Sequence, residues 1–185
     1  MRIARKLSAD QETIYRFLAV LGGAIIELNS NRLARPEFFL LAHTFIVEYI
    51  EGIFFKKEEL LIKKLEEVGF PPDDGPIGFM RGDQIKSHKA SEHLLDAVKH
   101  WQAGDEQARV DVGWVASEYT STVRQHLERL KTLIFPLLEQ NVSIEEEHLL
   151  SERVDKLGFD GDQQNSPEKY NKLVGSLEEE LSDWR

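Results

Sequence analysis

With no cysteine in the chain, disulfides, thiolate zinc sites, iron-sulfur clusters and cysteine nucleophiles are all excluded. Chemistry then falls to six histidines and the carboxylates set near them at helical spacing. Such side chains, pointing inward from facing helices, can converge on a metal ion. A Gly-rich phosphate loop, a serine nucleophile elbow and a His-Glu-x-x-His helix are absent from the sequence, so nucleotide hydrolysis, α/β-hydrolase chemistry and zincin proteolysis have no motif.

Spacing selects the candidates. Along one helix Glu48, Phe55 and Glu59 fall near a single stripe, because eleven residues at about 100° each return close to the start. Gln84 and His88 are four apart and share a face, and His126 shares a stripe with Leu130 and Leu133. Glu58 is turned about 100° from Glu59, so only one of the two faces inward, and Glu58 is expected in solvent or paired with a lysine. His43 and His93 fall on other faces and read as rim or surface residues. His100 and His148 lie near a helix end and on an outer helix and read as structural.

The elements that must position these residues are all helical. Pro36 suits a first helical turn, and no proline follows until Gly69 and Pro71-Pro72, which predicts one helix over 36–68, a rod of roughly 50 Å. Ser8 with Gln11 reads as a capping box opening an earlier helix, which runs through Ile14, Leu18, Leu21, Ile25 and Leu28 to a break at Asn29-Ser30-Asn31. After the turn-rich run 69–78 a third helix begins at Ile77 or Asp83 and stops at Gly104. A fourth, opened by Asp105 or Glu106, meets Pro136, where it should kink or end. Ser143 with Glu146 opens a fifth ending at Gly158, and Ser166-Pro167 opens a sixth. No segment alternates as a strand does. The expected fold is all-α: a single domain over 1–185, an up-down-up-down four-helix bundle over about 8–140 with two additional C-terminal helices over about 143–184.

Charge narrows the partners. Lys plus Arg number 23 against 33 Asp plus Glu, a net charge of −10, which argues against unaided binding to nucleic acid or to an anionic membrane. The basic start, Met1 to Lys6, is followed by a polar run rather than a signal-peptide core, and no uninterrupted apolar stretch is long enough to span a bilayer. A cytoplasmic location is the expectation.

The order of elements, the run FIVEYIEGIFFKKEELLIKKLEEVGFPPDDGPIGFM and the stretch from His126 through Leu127 to Leu133-Ile134-Phe135-Pro136 resemble the hemerythrin-like, or HHE cation-binding, domain family, over about Ser8 to Glu180. The resemblance implies a di-iron site built from a His on the first helix, His-x-x-x-Glu on the second, a His on the third and His-x-x-x-Glu on the fourth. Here those positions are Gln11, Phe55 with Glu59, Gln84, and His126 with Leu130, so only Glu59 and His126 keep the family's residue type. An amide oxygen is a poor substitute for imidazole on a transition metal, and Phe and Leu cannot coordinate.

The leading expectation is therefore a hemerythrin-like protein whose di-iron site is degenerate, without cofactor, acting as a non-catalytic binding, regulatory or structural protein. The alternative is a non-haem iron protein for oxygen binding, sensing or oxidation, holding one iron ion through Glu59, His88 and His126; if it is an enzyme, that makes it a non-haem iron oxidoreductase. A protein partner or a homodimer is the remaining class of partner, with Phe38, Phe39, Trp101 and Trp114 as aromatic residues that either pack inside or form an interface.

Overall fold

The computed structural model describes residues 1–30, 32–158 and 166–185; Asn31, part of the expected break after the first helix, lies outside them. Among the described residues every regular element is helical: α1 (Arg2–Leu28), α2 (Pro36–Glu67), α3 (Gly75–Gln102), α4 (108–141), α5 (Ile144–Gly158) and α6 (Pro167–Trp184).

Helix ends follow local chemistry where the stop signals are strong. Gly69 takes φ 107°, its N–H donates to the Glu66 carbonyl at 3.0 Å, and the Phe70 N–H donates to Leu65 at 3.0 Å. That is a Schellman closure, and Gly104 (φ 104°) closes α3 in the same way on Trp101 and His100. The Ser143–Glu146 capping box forms at α5, with both reciprocal bonds made.

Two starts differ from expectation. α1 begins six residues before Ser8, whose hydroxyl sits inside the helix and donates to the Arg5 carbonyl. The free N–H of Ile3 donates instead to Glu147 Oε1 of α5 at 3.0 Å, a tertiary cap that no local pattern reveals. α3 begins at Gly75, capped by the Asp74 carboxylate, so part of the turn-rich run is already helical.

α2 is continuous but not uniformly α. From Ile46 to Phe54 it is a π-helix, closed by the Phe55 N–H donating to the Ile50 carbonyl. The phase of the sequence explains why. Its first half buries Phe38, Ala42, Phe45, Ile46 and Tyr49. A straight α-helix continued from that stripe at about 100° per residue would turn Lys56 and Lys63 inward. The π segment uses more residues per turn and so restores the apolar phase, burying Phe54, Leu61, Ile62 and Leu65 instead. Each such side chain contributes roughly 1.5–3 kcal/mol by leaving water, which outweighs a few strained hydrogen bonds.

The expected effect of Pro136 is milder than a stop. A π turn spans Leu130–Ile134 and the helix resumes to Asn141. The missing N–H and the bulk of the ring fall on the looser turn, which absorbs them without ending the helix.

α1 packs on α4, α5 and α6, α2 on α3, α5 and α6, and α3 runs along α4. Phe17 stacks on Phe45 at 4.4 Å, linking α1 to α2, while Tyr170 and Trp184 of α6 close over Tyr49 and Phe38 at 5.0 and 4.7 Å. Phe38, Phe39 and Trp101 are thus core residues, whereas Trp114 is 74% exposed. α2 is long and apolar enough to cross a membrane by composition, with mean hydropathy 1.6 over 18 residues, yet its apolar stripe is buried against the other helices.

Candidate functional site

The residues meet at a buried histidine. The His126 side chain on α4 is about 1% exposed and lies between two carboxylates: Nε2 is 2.7 Å from Glu58 Oε2 of α2, and Nδ1 is 3.4 Å from Asp83 Oδ2 of α3. A carboxylate accepts only, so both ring nitrogens must carry hydrogen for both bonds to form. His126 is therefore an imidazolium. Burial alone would lower its pKa, but the charge of Glu58 and the bonds to Asp83 and Glu58 outweigh that and push it up to about 9.

The surrounding groups balance this charge. Arg129 Nη1 donates to Asp83 Oδ1 at 2.5 Å, and Gln84 Nε2 donates to Glu58 Oε2 at 3.0 Å. Burial works to raise the Asp83 pKa, and the His126 and Arg129 bonds more than reverse it, holding the carboxyl below its ordinary range. Two anions thus face two cations. The Phe55 ring stands edge to face with the imidazole at 5.2 Å, closing the apolar side, and Arg129 lies 5.3 Å from the Phe79 ring at the rim. Glu58 Oε1 is buried without a partner among the described residues.

The structure corrects the expected set at α2. Glu58, expected in solvent, is fully buried, and Glu59 is half-buried and bonded to Arg81 at 3.2 Å, which also binds Glu66 at 2.6 Å. The cause is the π segment, which rotates everything after Phe54 relative to a uniform α-helix. His88 is exposed, 3.1 Å from Glu51 and 3.5 Å from Glu92. Neither Glu59 nor His88 shares a bond with His126.

The remaining candidates divide. Phe55 and Gln84 do meet His126 and Glu58, and Leu130 is buried one turn after His126. Gln11 is half-buried, while its neighbour Asp10 turns inward, accepting from the Tyr49 hydroxyl at 2.8 Å and from Lys57 Nζ at 2.7 Å. Burial and the Asp10 charge raise the Tyr49 pKa. Glu48 pairs with Lys169 of α6 at 3.4 Å.

Glu58, Asp83 and Arg129 belong to the site although helical spacing alone does not select them. Asp83 had a signal, since it shares the buried stripe Met80, Ser87, Ala90, Leu94 and Val98, where an acid demands a partner. Glu58 could be found by reading phase backward from Leu65 and Leu61 rather than forward from Glu48.

The donor set bears on metal chemistry. Glu58 and Asp83 engage opposite nitrogens of one ring, so they do not converge on a point, and Phe55 and Leu130 offer no ligand atom. Among the described residues no group of three or more His, Asp or Glu is arranged to hold an ion. These residues do not fit a two-iron centre.

Comparison with protein-family models, with curated proteins and with solved structures found no match in any of the three.

Proposed function

We propose that the chain is a divergent hemerythrin-like domain, an up-down-up-down four-helix bundle of α1 to α4 with α5 and α6 packed outside, whose di-iron centre has been replaced by an internal charge network. Its role is then non-catalytic: binding, regulation or support of a larger assembly. The observation that carries this reading is the Glu58–His126 pair at 2.7 Å. An imidazolium gives the buried carboxylate the positive neighbour that a metal ion would otherwise supply, and Phe55 and Leu130 fill adjacent volume with apolar side chains.

The unpartnered Glu58 Oε1 favours a second reading, a non-haem iron protein with one ion beside Glu58 and His126 in place of the Glu59, His88 and His126 set. Elemental analysis of protein purified from iron-supplemented cells, with its absorption spectrum, separates the two. Metal-free, colourless protein that melts cooperatively supports the first, and stoichiometric iron supports the second.

A further inference from the structure

We propose that α5 is a homodimer surface, lying antiparallel on α5 of a second copy with Leu149 at the two-fold axis. The helix sends Leu150 and Val154 into the core and turns Glu145, Leu149 and Arg153 outward. Leu149 is 59% exposed and Ile144 84%. Leu149 also forms a wall of two depressions, one of about 700 Å³ shared with Met1, Arg2 and Arg5 of α1, the other of about 320 Å³ shared with Lys64 and Glu67 of α2. A ridge flanked by two grooves is the shape that receives another helix.

Charge selects a second copy as the occupant. Residues four apart lie near one stripe of a helix, so Glu145, Leu149 and Arg153 read acid, apolar, base along it. A two-fold axis through Leu149 exchanges the positions four before and four after it. Glu145 then meets the partner's Arg153, and the partner's Glu145 meets Arg153, while the two Leu149 side chains cover one another. Both charges are available for this. Glu146 binds Lys64, Glu147 caps Ile3 and Glu152 pairs with His148, whereas Glu145 and Arg153 make no ion pair among the described residues. The surface is self-complementary whatever the buried centre binds.

The test is sedimentation velocity on the full chain across micromolar concentrations, with Glu145→Arg, Arg153→Glu and the double reversal. Both positions are exposed, so each variant should keep the helical circular dichroism of the parent. The expected result is a dimer whose dissociation constant rises at least about tenfold in either single variant, because two attractive pairs become repulsive. The double reversal, and an equal mixture of the two single variants, should restore it. A parent chain that stays monomeric throughout overturns the proposal. So does a dimer indifferent to both reversals, which would place the contact on another face.

Discussion

His126 Nε2 and Glu58 Oε2 stand 2.7 Å apart, and neither side chain reaches water. For such a couple desolvation offsets much of the attraction, so removing one partner is far more damaging than replacing both with apolar groups of similar volume. Glu58→Leu and His126→Leu should each lower unfolding free energy by roughly 3–5 kcal/mol, and the double variant should recover most of the loss. Urea titration of the four proteins reads this directly. Additive losses would mean that the two side chains are not coupled.

The raised His126 pKa makes stability depend on pH in a defined direction. The folded state holds the proton up to about 9, and an unfolded histidine releases it near 6.5. Its contribution is therefore complete below about pH 6.5 and is lost as pH rises through about 9, on the order of 3 kcal/mol in all. Asp83 acts at the other end: its depressed pKa contributes above the ordinary carboxylate range and is lost as acid protonates the folded form. Urea unfolding should show stability falling between pH 6.5 and about 9 in the parent, with little such slope in His126→Leu. An equal slope in both would assign the effect to other groups.

If the π segment corrects apolar phase, one residue inside it is surplus. Deleting Gly52, which lies in that segment, should leave an α-helical α2 with Glu58, Leu61, Ile62 and Leu65 still inward and a melting free energy within about 1 kcal/mol of the parent. Deleting Lys63, beyond the segment, should turn Leu65 out of the core and cost several kcal/mol. Thermal melts followed by circular dichroism compare them, and equal damage from the two deletions would contradict the phase argument.

The phenol of Tyr119 is fully buried, and its hydroxyl has no partner among the described residues. Removing an unsatisfied buried hydroxyl relieves a desolvation cost, so Tyr119→Phe should be neutral or stabilise by up to about 1 kcal/mol. A loss larger than that, measured by urea unfolding, would show that the hydroxyl is bonded in solution.

Much of the architecture is written locally. Gly69 and Gly104 end their helices because only glycine takes the left-handed turn there without strain, and Ser143 with Glu146 opens α5 by its own side chains. The start of α1 was not legible, because Glu147, distant in sequence, caps it. The site was half legible. His126 and Gln84 lie where spacing puts them, since α3 and α4 keep a regular turn up to those positions, and Phe55 meets His126 directly after the π segment. Glu58 and Glu59 exchanged roles because a stripe counted at 100° per residue cannot register a π segment within it. That segment is a compromise between two halves of α2 whose apolar faces disagree, and it shows only when both halves are read against one core.

The most direct test of the central claim is iron content per chain, by plasma mass spectrometry on protein from iron-supplemented cells, with melting recorded before and after chelation. The expected result is far less than one iron per chain and a melting temperature indifferent to chelator, because His126 already neutralises Glu58. About two irons per chain, with melting that falls on chelation, would contradict this and require ligands that Phe55 and Leu130 cannot supply.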